Sequence, residues 1–240
     1  MNALRRVAAN WWADFKERHW FRANSLYRGM AQDAHVRSVR FAIENLTGAR
    51  RFADRDELLR FCVRKSAECQ EPDGIVAEFG VWKGDSLAII AAAAEGAPIV
   101  GFDSFEGLPE DWGAVLPKEF FRVAGLPRVA ANVSLVKGWF HDTLPRFLSG
   151  DPRPFRFIHL DADLYSSTRD VLEAVRGRLV PGTVIIFDEL LNVVDWEKNE
   201  YRALKERLID GGVPFTYLAF HSEATLGSGS AVAIRIDAAA

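Results

Sequence analysis

The fold of this chain is decided by eight consecutive residues, Glu78-Phe79-Gly80-Val81-Trp82-Lys83-Gly84-Asp85. The apolar run Ile75–Phe79 leads into this stretch and predicts a buried strand, and the apolar segment after it predicts a helix. The two glycines suit a tight turn that brings the backbone close to a ligand. Position 82 is Trp where a pyrophosphate-binding G-x-G-x-x-G loop requires Gly. The pattern is therefore E-x-G-x-x-x-G, which differs from that of a dinucleotide site.

Short apolar runs alternate with helical patterns along the rest of the chain, which predicts a parallel sheet with crossover helices. The predicted strands are 75–79, 99–102, 133–136, 155–160, 184–187, 215–220 and 231–236, and the predicted helices are 86–94, 143–147, 167–179 and 197–209. A further helical pattern begins at about residue 53 and is broken by Pro72-Asp73-Gly74. Only a polar, Gly/Ser-rich connection separates the last two strands, which suits a hairpin. We therefore expect an α/β, Rossmann-like fold. It has a seven-stranded, mostly parallel sheet with a C-terminal antiparallel hairpin, as in class I methyltransferases, plus an N-terminal helical extension.

The chain has 240 residues, enough for one large core, and we expect two parts. Residues 1–70 are predicted to form a helical extension that acts as a lid or an oligomerisation arm, and residues 71–240 form the methyltransferase-like domain. Residues 1–40 hold eight Arg or Lys against three Asp or Glu, together with six aromatic side chains. This composition favours packing on a neighbouring subunit or over the active site; a membrane-surface helix or an acidic ligand is the alternative.

The composition also restricts the class of partner. The formal net charge is −3, and the absence of excess positive charge argues against nucleic acid and favours a small molecule. The longest apolar stretch, residues 87–94, is far shorter than the roughly 20 residues of a membrane span, and the start of the chain lacks a signal-peptide pattern. Cys62 and Cys69 form neither a redox pair nor a disulfide framework. We expect a cytoplasmic protein with two buried or half-buried thiols.

The ends of the first three predicted strands carry candidate ligand-binding residues, because ligands bind beyond the carboxyl ends of parallel strands. Glu78 suits the ammonium of a methionine moiety and repels a pyrophosphate. Asp103 lies 25 residues later, near the spacing of about 20 for a ribose-binding carboxylate, although a turn-forming Asp gives the same pattern. Trp139 either stacks on an adenine or belongs to the core. The expected cofactor-binding residues are Glu78, Gly80, Val81, Trp82, Gly84, Ser86, Asp103, Ser104, Gly138 and Trp139.

Four carboxylates follow the next two predicted strands: Asp161, Asp163, Asp188 and Glu189. Adjacent strand ends bring them to one rim, where they repel one another unless a cation or a proton lies between them. Mg²⁺, which prefers oxygen ligands, resolves this repulsion, and solvated acids at loop starts are the alternative. His159 lies inside a predicted strand and is expected to be a satisfied core histidine and not a ligand.

Four stretches carry a family resemblance: Val76-Ala77-Glu78-Phe79-Gly80-Val81-Trp82-Lys83-Gly84, Gly101-Phe102-Asp103-Ser104-Phe105-Glu106-Gly107-Leu108-Pro109, Gly138-Trp139-Phe140-His141-Asp142-Thr143-Leu144-Pro145, and Leu160-Asp161-Ala162-Asp163-Leu164-Tyr165-Ser166-Ser167-Thr168. Together they resemble the macrocin O-methyltransferase family, metal-dependent class I methyltransferases that modify macrolide sugars and aminocoumarins. The resemblance implies S-adenosyl-L-methionine as methyl donor. It also implies Mg²⁺ bound by Asp161 and by Asp188 with Glu189, where that family has a second Asp.

The expected function is S-adenosylmethionine-dependent and Mg²⁺-dependent O-methylation of a hydroxyl on a sugar or phenolic natural product. Methyl transfer is an in-line displacement, so positioning carries most of the catalysis. Asp161 or Asp163 could take the hydroxyl proton, and Asp161, which is also an expected metal ligand, is the favoured base. One alternative is a nucleotide-dependent oxidoreductase, which the absent G-x-G-x-x-G disfavours. The other is a non-catalytic binding module on the same fold, which the retained acids disfavour.

Overall fold

The structure, a computed structural model, describes residues 25–112, 116–222 and 226–239. Its strands are β1 (Arg50–Phe52), β2 (Ile75–Phe79), β3 (Ile99–Asp103), β4 (Val133–Lys137), β5 (Phe155–Leu160), β6 (Leu179–Leu191), β7 (Phe215–His221) and β8 (Ser230–Ile236). They form one sheet in the order β1-β7-β8-β6-β5-β2-β3-β4. The strongly basic and aromatic part of the predicted arm, residues 1–24, lies outside the described residues.

The sheet is parallel apart from β8, which runs antiparallel to both β6 and β7. This arrangement confirms the α/β fold with a C-terminal hairpin. The predicted number of seven strands is wrong, because Arg50–Phe52 adds an eighth strand that pairs in parallel with β7. Three residues, two of them Arg, show no apolar alternation, so the sequence gives no signal for this edge strand.

The helices are α1 (Ser25–Asn45), α2 (Arg55–Ser66), α3 (Asp85–Ala93), α4 (Phe140–Gly150), α5 (Tyr165–Val175) and α6 (Glu200–Leu204), and a π-helical turn, Lys205–Ile209, continues α6. A short 3₁₀ turn, Trp196–Lys198, precedes α6, so the predicted helix 197–209 begins later than expected. None of the described helices combines the length and the hydropathy that crossing a bilayer requires.

Apolar side chains fill both faces of the sheet and give three layers. On one face the helices α1, α4, α5 and α6 contribute Phe41, Leu144, Leu172 and Leu204. On the other face α2 and α3 contribute Leu58, Leu59, Cys62 and Ile90. All five residues of β2 are buried, and the rings of Phe79 and Phe102 stack with their centroids 4.8 Å apart. Ligands therefore reach the central strands only at the edge where those strands end.

The helix α2 packs against the sheet as part of the core, although residues 1–70 were predicted to form an extension. Its N-cap is Asp54, whose side chain accepts a hydrogen bond from the Glu57 amide at 3.0 Å. Residues Leu58, Leu59, Cys62 and Val63 of α2 pack against the sheet. The proposed boundary at residue 70 stays a prediction. Both cysteines are free and buried, as expected.

Candidate active site

The glycine turn after β2 passes very close to the end of β5. Gly80 has φ +93°, and a Cβ at this position would overlap the carbonyl of Asp161. The Asp161 amide donates a hydrogen bond to the Phe79 carbonyl at 2.9 Å. Trp82 also has a left-handed backbone, with φ 49°, a conformation that costs on the order of 1–3 kcal/mol in a residue other than Gly. The surrounding structure therefore holds this turn in a fixed and strained shape.

The side chain of Asp103 closes the same turn. Its Oδ2 accepts hydrogen bonds from the Val81 amide at 2.8 Å and the Trp82 amide at 2.7 Å, and its Oδ1 accepts one from the Phe105 amide at 2.6 Å. The Gly138 amide donates to the Asp103 carbonyl at 2.9 Å. A carboxylate has about four lone-pair positions, so these bonds leave limited capacity for a ribose. The ribose role of Asp103 stays a prediction.

The other predicted cofactor-binding residues lie along this edge. Ser104 is engaged within its own turn: its hydroxyl donates to the Gly107 carbonyl at 2.8 Å and accepts from the Glu106 amide at 3.0 Å. Ser86 is buried in the first turn of α3. Trp139 is half-buried at the N-cap of α4, directly after Gly138. The structure thus brings the predicted residues to one edge, and their ligand contacts stay predictions.

A line of buried charge lies on the face of the sheet that α2 covers. The register pairs Glu78 with His159 and His159 with Ile186, so Asp188, two residues further along β6, shares their face. His159 Nδ1 is 2.8 Å from Glu78 Oε1, and its Nε2 is 3.4 Å from Asp188 Oδ1. Glu78 Oε2 is buried without a hydrogen-bond partner in the described part of the chain. His159 is thus satisfied, and both of its partners are acids.

Arg55, the first residue of α2, completes this line. Its Nε donates to Asp188 Oδ1 at 2.6 Å, and its Nη2 donates to Asp161 Oδ2 at 3.0 Å. One guanidinium therefore bridges the acid that follows β5 and an acid in the last part of β6. We refer to Glu78, His159, Asp161, Asp188 and Arg55 as the Arg55 cluster.

Sequence reasoning missed the contributions of Arg55 and His159. Arg55 precedes Asp161 by 106 residues, and no local pattern connects the two. His159 carries a usable signal, because residues two apart in a strand point to the same face. Its position two residues before Asp161 places it beside the acids.

The charges of the Arg55 cluster determine its protonation. Burial alone would lower the pKa of His159, but hydrogen bonds to Asp188 and Glu78 raise it to about 9. Burial would raise the pKa of Asp188, but the charges of Arg55 and His159 hold that pKa well below its usual range. Burial, with the charge of Asp188, raises the pKa of Asp161 to about 7. At neutral pH the cluster therefore contains an imidazolium, and Asp161 is poised to exchange a proton.

A second set of acids, Asp163, Glu189 and Glu200, lies beside the first; we refer to it as the Glu200 group. Burial and the charge of Glu189 raise the pKa of Asp163, and burial and the charge of Asp188 raise that of Glu200. The Glu189 amide donates to Glu200 Oε2 at 3.1 Å. The side chain of Glu189 lies against Gly229, where a Cβ would meet its Cγ at 2.5 Å. These pKa shifts favour the neutral forms of Asp163 and Glu200.

Among the described residues, the Arg55 cluster contains the group of potential ligand atoms that most resembles a metal site. Atoms of His159, Asp161 and Asp188 lie within 4.8 Å of one another, and Glu189 is not in this set among the described residues. A divalent cation needs free lone pairs and the space between its ligands, whereas Arg55 binds one oxygen of each Asp and places its own positive charge between them. A cation already holds this position, so the arrangement does not fit Mg²⁺ while Arg55 is in place. The metal roles of Asp161, Asp188 and Glu189 stay predictions.

Solved structures place the fold among class I methyltransferases. CalS11, a calicheamicin methyltransferase, superposes with a TM-score of 0.61 at 24% identity, covering 87% of this chain and 91% of that one. The O-methyltransferase NovP gives a TM-score of 0.51 at 24% identity, covering 76% and 79%. At these identities the likeness establishes the fold.

Sequence comparisons identify a family model and one related O-methyltransferase. The family model described as a methyltransferase domain matches residues 77–190, which include both sets of acids except Glu200. The 8-demethyl-8-(2,3-dimethoxy-alpha-L-rhamnosyl)-tetracenomycin-C 4'-O-methyltransferase of Streptomyces olivaceus is 37% identical over 155 residues, which is 55% of this chain. The chain spans 58% of the length of that relative.

Proposed function

We propose that this chain is an S-adenosylmethionine-dependent O-methyltransferase acting on a sugar hydroxyl of a natural product. The observation that carries the proposal is the connected edge of the sheet beside Asp161, where amides of the Gly80 turn donate to the Asp103 carboxylate and the Gly138 amide donates to the Asp103 carbonyl. The relative from Streptomyces olivaceus is named for methylation of a rhamnosyl group. Its 37% identity favours a sugar over a phenol as the acceptor.

The cofactor contacts follow from the chemistry of the edge. S-Adenosylmethionine supplies a methyl group activated by its sulfonium. The buried Oε2 of Glu78 suits the ammonium of the methionine part, because a buried carboxylate oxygen is costly to leave unpaired. Asp103 suits the ribose hydroxyls, and Trp139 suits the adenine face. The remaining expected residues shape the turn around them.

The transfer needs an acceptor oxygen aligned with the methyl carbon. The carbon–sulfur bond breaks as the new oxygen–carbon bond forms, and the hydroxyl proton passes to Asp161. A base with a pKa near neutrality is suited to this task, and Asp161 has a pKa of about 7. Exclusion of water and alignment of the reactants supply most of the remaining rate enhancement.

Mg²⁺ dependence remains the prediction that the family resemblance implies. The acids expected to bind the ion are present, but Arg55 contacts two of them. Loss of transfer on treatment with a chelator, restored by Mg²⁺ alone, would support a metal. Homo-oligomerisation through residues 1–40 and a cytoplasmic location also remain predictions.

Methyl transfer is tested with labelled S-adenosylmethionine and two acceptors, a rhamnosylated polyketide and a simple phenol. We expect label on the rhamnosyl hydroxyl. Asp161→Asn should lower turnover by about 10²–10⁴-fold while binding of S-adenosylhomocysteine is retained. The matched control is Asp56→Asn on the surface of α2. Full turnover in Asp161→Asn would remove Asp161 from the mechanism.

The two alternative functions give different results in the same assays. A nucleotide-dependent oxidoreductase would bind NAD tightly and S-adenosylhomocysteine weakly. A non-catalytic module would transfer no label to either acceptor.

A further inference from the structure

We propose that Arg55 is the resident cation of the active site and takes the place that a divalent metal ion holds between carboxylates of this kind. In this assignment Arg55 is a positioning residue, which holds Asp161 and Asp188 at the ends of their strands so that transfer requires no metal. The role in transfer rests on the proposed function, because it concerns the groups around the expected base.

The geometry of the contact supports this assignment. Arg55 uses Nε for Asp188 at 2.6 Å and Nη2 for Asp161 at 3.0 Å. These two N–H groups lie on one edge of a rigid, planar guanidinium, so a single side chain fixes the spacing of two carboxylates. A bridging cation does the same for two ligands at a metal centre. A lysine ammonium lacks this fork and is expected to hold the pair less well.

The charge balance points the same way. Arg55 places one permanent positive charge directly against the carboxylates of Asp161 and Asp188. A divalent ion bound to the same two carboxylates would lie beside the guanidinium and be repelled by it. Removing Arg55 removes this repulsion. The presence of Arg55 therefore lowers the affinity of the cluster for a metal ion.

The position of Arg55 is fixed by the fold. The chain leaves β1 at the carboxyl edge of the sheet, and Asp54 caps α2 immediately before Arg55. Leu58, Leu59 and Cys62 anchor the first turns of α2 in the core. The guanidinium is thus delivered by a rigid element, as preorganised sites require.

The test measures binding of Mn²⁺ alone by electron paramagnetic resonance, with the full chain and no substrate. We expect the wild-type chain to bind no Mn²⁺ at the cluster, and Arg55→Ala to bind it there with an affinity at least about tenfold above the detection limit of the measurement, because removing the guanidinium leaves the carboxylates unneutralised. Arg60→Ala, which removes an exposed cation of the same helix, should behave as the wild type. Mn²⁺ bound by the wild type and lost in Asp188→Asn, or no gain in a folded Arg55→Ala, would overturn the proposal.

Activity supplies a second measurement. Wild-type transfer should survive chelation, whereas Arg55→Ala should lose transfer and regain part of it with Mg²⁺; a wild type that needs Mg²⁺ would overturn the proposal. If Arg55→Ala does not fold, Arg55→Gln replaces it, and Mn²⁺ binding by the wild type decides in either case. Because Mn²⁺ binding needs no acceptor, failure of the proposed function appears separately, as absence of methyl transfer with a normal Mn²⁺ result.

Discussion

The Arg55 cluster and the Glu200 group both draw acids from the region where β5 and β6 end, yet the pKa shifts of Asp188 and Asp163 have opposite directions. In the Arg55 cluster the charges of Arg55 and His159 hold the pKa of Asp188 below its usual range. In the Glu200 group burial and neighbouring acids raise the pKa of both Asp163 and Glu200. The difference shows that an acid at a strand end becomes a charged site only where another element supplies a cation.

Removing the central acid of the Arg55 cluster should have the largest effect on stability. Asp188→Ala leaves the buried His159 and the partly exposed Arg55 each short of one partner, and we expect the free energy of unfolding to fall by about 3–5 kcal/mol. Denaturant unfolding measures it. The control is Asp56→Ala, an exposed ion pair whose loss should cost less than about 1 kcal/mol. Equal losses in the two variants would mean that the buried pairing contributes nothing.

Deprotonation of the His159 imidazolium should have an intermediate effect on the free energy of unfolding, and this effect depends on pH. Its pKa is raised from 6.5 to about 9 in the fold, so its contribution to stability is complete below pH 6.5 and disappears as the pH rises through 9. Between pH 7 and about 9.5 the free energy of unfolding should decrease by about 1–3 kcal/mol more in the wild type than in His159→Gln. The window begins at pH 7 because Asp161, whose pKa is raised from 3.8 to about 7, changes its contribution to stability with pH mainly below that value.

The exposed His141 provides the control for this titration. His141→Gln should keep the pH dependence of the wild type. A slope that is unchanged in His159→Gln would show that His159 is neutral in the fold.

Neutralising an acid of the Glu200 group should have the smallest effect. The raised pKa of Glu200 favours its protonated form, and Gln has nearly the same shape as a protonated Glu. Glu200→Gln is therefore expected to change the free energy of unfolding by less than about 1 kcal/mol. A loss as large as that of Asp188→Ala would mean that both sets of acids are ionised, and the contrast between them would be wrong.

The sequence predicts the fold and the edge of the site because both depend on local patterns. Apolar runs mark the strands, and the carboxyl ends of parallel strands must share an edge, which brings Asp161 and Asp188 together. The glycine at position 80 is similarly predictable from the turn that it permits. The edge strand Arg50–Phe52 escapes prediction because its pairing with β7 lies entirely in the tertiary structure.

The charge partners of the acids could not be predicted in the same way. Arg55 reaches Asp161 only through the packing of α2 on the sheet, which no pattern around residue 55 indicates. The length of β6 also differs from the sequence prediction. The strand continues to Leu191 and not only to residue 187, so Asp188 and Glu189 lie within the strand and not in the loop after it.

The central claim is that the edge around the Gly80 turn binds S-adenosylmethionine, and calorimetry with S-adenosylhomocysteine tests it most directly. We predict micromolar binding by the wild type and a loss of at least about tenfold in Asp103→Ala, because the carboxylate both closes the turn and faces the expected ribose. NAD should produce no comparable heat. Absence of S-adenosylhomocysteine binding by the folded wild-type chain, or tighter binding of NAD, would contradict the account.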